Sequence, residues 1–282
     1  MTRIHSVIPP YILRRIIESG SEPQQRCARQ TLTHVQTLMA HMPGKPAAPH
    51  VSKAGQLERD IYDAKQTQEL PGTQVRYEGQ PSNGDVAVDE AYDYLGITHD
   101  FFWKEYQRDS LDNKGLIYFE QSGALNESLS DVFGSLVKQY HLKQTADQAD
   151  WLIGEGLLAK GINGKGLRSM SEPGTAYDDP LLGKDPQPAH MKDFIKTRED
   201  NGGVHLNSGI PNRAFYLAAT AIGGYAWEKA GYAWYDTVCD RNLPQDADFD
   251  AFAKLTIAHG EKRSGSDVGA AIRQAWEQVG VL

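Results

Sequence analysis

The stretch Asn126-Glu127-Ser128-Leu129-Ser130-Asp131 carries two acidic side chains four residues apart. If it is helical, Glu127 and Asp131 lie about 40° apart on one face of the helix. Such a pair can bind a metal ion with one carboxylate and orient a metal-bound histidine with the other. The helical motif that would supply such histidines, H-E-x-x-H, occurs nowhere in the 282 residues. The stretch therefore predicts one side of a metal site whose other side is missing.

The sequence around this stretch has the apolar spacing of a helix. Residues 123–140 are predicted to be helical, with Ser122 as the N-cap. Residues 161–192 are rich in Gly, Ser, Pro and Asp and are expected to form a long loop, which is often functional. Further helices are predicted at 146–158, 206–222, 225–240, 248–261 and 266–280. The C-terminal part is therefore expected to be a mainly helical domain.

The N-terminal part is more mixed. Residues 24–42 predict a helix, and the three prolines within 43–50 predict an extended linker. Short strands are expected at 58–64 and 73–78, with a turn at Pro71-Gly72, followed by a long helix at 85–109. Two strands are marginal by themselves, so this region resembles the remnant of a β-rich domain. The expected fold class is α+β, a β-rich N-terminal remnant followed by a mainly α-helical C-terminal domain.

Composition and charge narrow the classes of partner. Hydrophobic content of 40% and charged content of 23% are typical of soluble globular proteins, and no apolar run is long enough to predict a membrane partner. The net charge is −8, and residues 1–50 carry six basic against two acidic side chains, so the remainder carries −8 − 4 = −12. This acidic body argues against nucleic acid. The basic arm either docks on that body or is simply part of an unevenly charged surface.

Three segments carry the strongest signal: residues 115–131 (GLIYFEQSGALNESLSD), 166–171 (GLRSMS) and 200–209 (DNGGVHLNSG). In this order and spacing they resemble the thermolysin-like zinc metalloendopeptidases. Pro9-Pro10-Tyr11-Ile12-Leu13 resembles the prosegment motif of the protealysin-type branch. The resemblance covers nearly the whole chain. It implies a prosegment with a Pro-rich linker at 1–50, a truncated N-terminal peptidase domain at 51–115 and a thermolysin-like helical domain at 116–282.

The resemblance implies a role for each residue of the reaction centre. Glu127 corresponds to a zinc ligand, and Asp131 to the acceptor that fixes the ring of a zinc-bound histidine. His205 corresponds to a donor that stabilises the oxyanion, Asp200 to the carboxylate that orients it, and Tyr118 to a second oxyanion donor. These types suit the chemistry because a developing oxyanion needs preorganised donors.

The resemblance also implies how substrate is bound. Arg168 corresponds to a clamp on a substrate carbonyl, for which its forked guanidinium is suited. An apolar pocket would accept the side chain after the cleaved bond, formed in part by Ile153, Gly154, Leu157 and Leu167. Taken singly, each site residue could equally be a solvated surface or loop side chain; the three motifs together favour the functional interpretation.

One departure from the family is large. The family has a long stretch between the counterparts of Lys114 and Leu116, with the rest of the sheet, a substrate-binding edge strand and the H-E-x-x-H helix. We therefore expect an in-frame loss of several tens of residues and, without two histidines and the general base, no tight zinc binding and no peptidase activity. Glu127 and Asp131 would be left with no cation between them. Calcium is doubtful too, because Lys138 and Leu152 replace family carboxylates, which leaves Asp150 and Glu155.

The expected function is therefore a zinc-dependent metalloendopeptidase by family, cleaving on the amino side of apolar residues, but inactive in this chain. The alternative is a non-catalytic peptide-binding or regulatory protein whose prosegment binds a full-length homologue. The expected partners are peptide or protein substrates by family and the chain's own prosegment, with a monomeric state. The family implies secretion; no secretory signal is evident, because Pro9 and Pro10 interrupt the first apolar run, so the cytoplasm or unconventional export is the other expectation.

Overall fold

The computed structural model describes residues 8–40, 57–65, 67, 72–107, 116 and 118–282. The chain forms two compact units, one of Met1–Met42 with Asp112–Leu282 and the other of Pro43–Leu111. The predicted linker at 43–50 and the junction at Lys114-Gly115 lie outside the described residues, as does Pro71 of the predicted turn. Among the described residues, no helix is both long and apolar enough to cross a bilayer.

The elements of the first unit are mainly helices. Those helices are α1 (Pro10–Ser19), α2 (Glu22–Ala40), α4 (Glu120–Leu142), α5 (Asp200–Asn207), α6 (Gly209–Ile222), α7 (Lys229–Cys239), α8 (Phe249–Ser264) and α9 (Ser266–Gln278). Its strands are β3 (Leu152–Ile153), β4 (Arg168–Ser169), β5 (Asp178–Asp179) and β6 (Gly183–Lys184), with a 3-10 turn at Met191–Asp193. The predicted helix at 24–42 is confirmed as α2 up to its last described residue.

The first helix was not expected from the sequence. Pro9 and Pro10 suggest an interruption, whereas α1 begins at Pro10 itself. Proline is well suited to the first helical turn, because its missing N–H has no intrahelical partner there. Ile12 and Leu13 are buried on the inner face of α1, so this short helix is anchored by packing rather than by its length.

The second unit contains a two-stranded hairpin and one helix, which confirms the two predicted strands and the predicted long helix. The strands β1 (Asp60–Asp63) and β2 (Thr73–Tyr77) pair antiparallel, with Ile61 opposite Arg76. The helix α3 (Val86–Tyr106) begins after Asp85, whose carboxylate accepts bonds from two backbone N–H groups of the first turn.

The hairpin packs on α3 through a charged arrangement rather than a purely apolar one. The guanidinium carbons of Arg59 and Arg76 each lie 3.6 Å from the ring centroid of Tyr92. Arg59 is bonded to Glu78 and Arg76 to Asp89. Cations placed over an aromatic face attract its π-electrons, and each contact here is also paired with a carboxylate.

The predicted helix at 123–140 is confirmed but begins earlier. Phe119 is the residue before the first turn of α4, and Ser122 lies inside the helix, where its hydroxyl donates to the carbonyl of Phe119 at 2.8 Å. The prediction of Ser122 as N-cap is therefore wrong. Buried side chains on several sides of α4, among them Leu125, Val132 and Leu136, make it the central helix of this unit.

The predicted helix at 146–158 is wrong. This segment forms turns and the short strand β3, with Trp151, Gly154 and Gly156 at φ of 57°, 74° and 78°. A positive φ interrupts a right-handed helix, and the Asp150 carboxylate, which accepts the Leu152 N–H at 2.9 Å, stabilises the turn instead. The predicted loop at 161–192 is mostly irregular, and it contains β4, β5 and β6.

The predicted helices after residue 200 are confirmed, although their bounds differ by a few residues. They pack around large aromatic side chains, in which Trp234 and Trp276 stack with ring centroids 5.9 Å apart and Phe215 and Phe252 meet Trp234 edge-on. A mainly helical C-terminal part after a small β remnant confirms the expected fold class.

Candidate functional site

Four elements bring the predicted site residues together in the first unit. The helix α4 supplies Glu127 and Asp131, β4 supplies Arg168, α5 supplies His205, and the segment before α4 supplies Tyr118. Each of these side chains is buried, with at most 8% of the residue exposed. Residues from all three sequence motifs therefore lie close together.

A left-handed turn places Asp200 against His205. Asp200, Asn201, Gly202 and Gly203 have φ of 53°, 51°, 86° and 79°. The turn lets Asp200 contact His205 at two points: one carboxylate oxygen lies 2.6 Å from the ring nitrogen Nδ1, and the other accepts the His205 backbone N–H at 3.0 Å. Left-handed residues other than glycine are strained, so this backbone persists because the surrounding contacts fix it.

Glycine is required at the centre of this turn. A Cβ on Gly202 would lie 2.6 Å from Cγ of Glu120, at the first residue of α4. The close approach of the turn to α4 therefore depends on a residue without a side chain, in addition to the positive φ.

The other imidazole nitrogen faces a phenol and a carboxylate. The Tyr118 hydroxyl donates a short hydrogen bond to Glu127 and lies 3.2 Å from His205 Nε2, which is 3.6 Å from the other Glu127 oxygen. Burial lowers the pKa of His205, but the bond to Asp200 and the charge of Glu127 outweigh it, so the pKa is raised. Burial and Glu127 raise the pKa of Tyr118 well above its usual value, which keeps the phenol a proton donor.

Asp131 has a cation, contrary to the sequence-based expectation. Arg168 donates from Nε and Nη2 to the two Asp131 oxygens, both at 2.7 Å. Burial opposes the charge on Arg168, but Asp131 outweighs it and raises the pKa of the guanidinium. The expectation that these carboxylates have no cation beside them is therefore wrong for Asp131, which is paired with the Arg168 guanidinium through two hydrogen bonds.

Two buried amides that the sequence did not single out support this centre. Asn212 on α6 donates from Nδ2 to Asp131 at 2.9 Å. Gln187 donates from Nε2 to the His205 carbonyl at 2.7 Å and to the Ser208 hydroxyl at 3.0 Å. Neither residue belongs to one of the three motifs, and each is distant in sequence from the residue to which it donates. These contacts therefore become visible only in the folded structure.

The predicted apolar wall forms beside the charged residues. Ile153 on β3 pairs with Arg168 on β4, and a Cβ on Gly154 would lie 2.8 Å from Leu167. Leu167 is buried, whereas Leu157 is 65% exposed. The structure therefore brings these four residues together, with Leu157 at the solvent side of the wall.

The helix α1 covers part of this wall. Ile12 packs in one buried cluster with Leu167, Ala176, Tyr177 and Leu182, with Tyr11 and Ile16 against it. Arg14 forms an ion pair with Glu199, the residue before Asp200. Burial raises the pKa of Tyr11 and raises that of Tyr177 to about 12, so both hydroxyls at this contact are neutral.

The side chains do not fit a zinc ion. A catalytic zinc needs about three protein ligands, whereas Glu127 lies 3.6 Å from one imidazole nitrogen, that of His205, and accepts a hydrogen bond from Tyr118. In the part of the chain that the structure describes, no group of three or more His, Cys, Asp or Glu side chains could hold a metal. At the doubtful calcium position, the Lys138 ammonium lies 2.5 Å from Asp150 and 2.8 Å from Glu155.

Comparison with known proteins identifies the two recognisable parts of the chain. Residues 114–281 match the family described as thermolysin metallopeptidase, alpha-helical domain, and residues 5–47 match the protealysin propeptide. The chain is 56% identical to an extracellular metalloprotease of Pectobacterium carotovorum, over 99% of this chain and 96% of that protein. It is 47% identical to the extracellular minor metalloprotease of Serratia marcescens, over 97% and 93%.

A solved structure agrees with these matches. The precursor of protealysin, a metalloproteinase from Serratia proteamaculans, superposes with a TM-score of 0.90 and 58% identity, over 99% of this chain and 100% of that one. The Pectobacterium alignment spans 335 residues. At least 335 − 282 = 53 of its positions therefore have no residue here, which agrees with the predicted loss of several tens of residues.

The matches to known proteins lead to one assignment, with which the buried cluster of Tyr118, Glu127 and His205 and the apolar wall covered by α1 are compatible. The chain belongs to the thermolysin-like metallopeptidases, a family whose cofactor is zinc, and it carries a protealysin-type prosegment.

Proposed function

We propose that this chain is a catalytically inactive thermolysin-like metallopeptidase that retains the substrate side of the site and keeps its prosegment docked. The observation that carries the proposal is that, among the residues the structure describes, no group of three or more His, Cys, Asp or Glu side chains could hold a metal, while Glu127 accepts a hydrogen bond from Tyr118 and lies near His205. The absence of H-E-x-x-H from the sequence removes the general base as well. Residues that act as a unit in catalysis leave little activity when most of them are missing.

We assign the remaining residues their family roles as part of this proposal. His205, oriented by Asp200, and Tyr118 are donors suited to an oxyanion, because both are buried and hold a proton. Arg168 would serve a substrate carbonyl with the edge of its guanidinium that does not face Asp131. Ile153, Gly154, Leu157 and Leu167 would accept an apolar side chain. Glu127 and Asp131 are the metal-side residues of a site that lacks its other ligands.

The prosegment is the first partner that we propose for this site. Ile12 already fills the wall next to Leu167, so an external peptide would have to displace α1. We keep the division into a prosegment at 1–50, a truncated N-terminal domain at 51–115 and a helical domain at 116–282. We also propose secretion, since relatives at 56% and 47% identity are named extracellular.

Zinc content and peptide cleavage test the proposal together. The purified chain, equilibrated with excess zinc and then desalted, is expected to retain far less than one zinc per chain and to leave casein and an apolar fluorogenic peptide intact. Glu127→Gln should change neither reading, because a lone carboxylate does not hold the ion. The Pectobacterium relative, treated identically, is the positive control. Stoichiometric zinc with cleavage that is lost in Glu127→Gln would refute inactivity.

A second function is favoured by the anchoring of α1. Ile12 and Leu13 are buried, each 3% exposed, so this helix has a surface built for docking on a peptidase wall. If it can exchange onto an intact relative, the chain would inhibit that relative. The full chain is expected to slow casein cleavage by the Pectobacterium enzyme, and Ile12→Asp should remove the effect. Equal inhibition by the wild type and the variant, or none by either, would exclude this function.

A further inference from the structure

The surface on which α1 docks has an apolar centre and a charged border. Ile12 packs at the centre in a buried cluster, and Arg14 forms an ion pair with Glu199 at the border. Both belong to the same compact unit as the surface itself. We call this the α1-binding surface, and it consists of Leu167, Tyr177, Leu182 and Glu199.

The two arginines that follow the buried residues of α1 have different partners. Arg14 reaches across to Glu199. Arg15 pairs with Glu18 of its own helix at 3.4 Å, and its guanidinium lies against Gly183, where a Cβ would come within 3.2 Å of the Arg15 Nε. Among the described residues, the Arg14–Glu199 contact is therefore the one charge pair between α1 and the rest of its unit.

This pair is suited to selecting a helix rather than to holding it. Both side chains are largely exposed, and an exposed pair contributes little to the stability of a contact. A like charge at the same place has a larger effect, because it adds repulsion to the loss of attraction, and specific interfaces use such repulsion to reject wrong partners. Since the apolar centre accepts any helix with similar apolar side chains, the border is where one such helix can be distinguished from another.

A diffuse attraction between the basic prosegment and the acidic body is the alternative. Residues 1–50 carry six basic against two acidic side chains, and the remainder of the chain is acidic. Such an attraction would act on every basic residue of the prosegment alike. Arg26 distinguishes the two explanations, because it has the same charge as Arg14 but is exposed on α2.

We propose that Glu199 is the specificity-determining residue of the α1-binding surface. It admits a prosegment helix that carries a basic side chain two residues after the buried isoleucine, and it rejects a helix that carries an acidic side chain there. For a helix supplied by another chain, this selection rests on the exchange proposed above. Within this chain it acts on α1 itself and depends neither on zinc nor on peptidase activity.

Charge reversal on both sides of the pair tests the proposal in the full chain, with hydrogen exchange of the α1 amides as the measurement. Arg14→Glu and Glu199→Arg should each accelerate this exchange by about tenfold, because each brings like charges together. The double variant restores a pair of opposite charges, and its exchange should return to within about threefold of the wild type. The acceleration in the single variants should shrink at high salt, which screens exposed charges.

Arg26→Glu is the matched control, because it changes the net charge as Arg14→Glu does, and it should leave α1 exchange unchanged. The α4 amides should stay protected in every variant, which verifies that the fold is intact. No acceleration in either single variant, a double variant as fast as the single ones, or equal acceleration by Arg26→Glu would overturn the proposal. These measurements need no second chain, so a failure to inhibit the relative would contradict the exchange and not the selection.

Discussion

Asp131 shows most directly how this chain differs from the pattern that its sequence suggests. Its carboxylate is held by Arg168 and by Asn212, with all three side chains buried. The charge pair joins α4 to β4, and the amide joins α4 to α6. These three side chains therefore form a buried polar network that joins three elements, and we expect its removal to affect folding first.

Breaking this tie should be costly. Arg168→Met leaves the Asp131 carboxylate buried without its cation, and we expect a loss of about 3–5 kcal/mol in the free energy of unfolding, measured by urea titration. The double variant Arg168→Met/Asp131→Leu should recover much of that loss, because no unpaired charge remains. Lys254→Ala, which breaks an exposed pair with side chains 67% and 46% exposed, is the control and should change stability by less than about 1 kcal/mol. A small loss for Arg168→Met would show that the pair is not structural.

Site residues could be predicted from the sequence only where they are part of a recognisable motif. Glu127, His205 and Arg168 stand in recognisable segments, so their meeting could be anticipated. Asn212 could not, because a lone asparagine in a helix has many possible partners, and its choice of Asp131 is set by how α6 packs on α4. The pairing of Arg168 with Asp131 was missed for a related reason: the two residues stand 37 positions apart in different motifs, and the sequence does not show which side chains of different motifs bond to each other.

At the level of elements, α1 is held by a few side chains. Ile12 and Leu13 are almost fully buried, whereas the Arg14–Glu199 pair is largely exposed, with side chains 43% and 70% accessible. Apolar burial therefore contributes most of the docking, and the ion pair contributes little. Whether the prosegment stays on the wall is thus decided by its apolar residues.

Truncation of Ile12 should release α1. Ile12→Ala removes a side chain from a packed cluster, a change that costs about 2–5 kcal/mol. We expect hydrogen exchange of the α1 amides to accelerate while the α4 amides stay protected. Arg14→Ala is the matched control on the same helix and should leave exchange nearly unchanged. If both variants exchange alike, the apolar cluster is not what holds the helix.

The hairpin of the second unit should be sensitive to acid. The hydrogen bond from Arg59 lowers the pKa of Glu78 below its ordinary value of 4.5. A carboxylate with a lowered pKa stabilises the folded form above the unfolded value and loses that contribution as pH falls through the folded value. Urea unfolding, followed by the NMR methyl signal of Ile61, should therefore show a midpoint that drops between pH 6 and about pH 3.

Two variants separate this effect from general acid denaturation. Glu78→Gln should lower the midpoint at pH 6 and flatten its dependence on pH, since the titrating group is gone. Glu90→Gln, on an exposed part of α3, should keep the wild-type slope. An unaltered slope in Glu78→Gln would assign the acid sensitivity to another group.

Helices were predicted well where apolar residues recur at helical spacing over many residues. They were predicted poorly where turns determine the course of the backbone. The helices α3, α4 and α6–α9 bury apolar side chains at regular spacing, so their existence could be anticipated. Residues 146–158 have helical composition, yet Trp151 and two glycines adopt positive φ, which composition does not reveal. No element was predicted over the residues of α1, although proline is favourable in the first turn of a helix.

At the scale of the whole molecule, the residues that this chain lacks relative to the Pectobacterium protein can be put back, which tests whether their loss explains the proposed inactivity. We predict that the residues of the Pectobacterium relative that this chain lacks, inserted between Lys114 and Leu116, will restore about one zinc per chain and casein cleavage after removal of the prosegment. The retained donors would then act again. In that chimera, His205→Ala should lower kcat by about 10²–10³, and Lys254→Ala should not. Zinc binding without dependence on His205 would show that the oxyanion role assigned here is wrong.

The Lys138 contacts have a consequence for how this protein responds to its surroundings. Burial opposes the charge, but the bonds to Asp150 and Glu155 raise the pKa of Lys138 above its usual value. The positive charge that holds the loop of Asp150 and Glu155 on α4 thus belongs to a side chain of the protein, and neither chelators nor dilution can remove it. A loop held by a dissociable metal ion is released when that ion is removed. This loop should instead be released only at a strongly alkaline pH that deprotonates Lys138, and its stability should not depend on the concentration of metal ions.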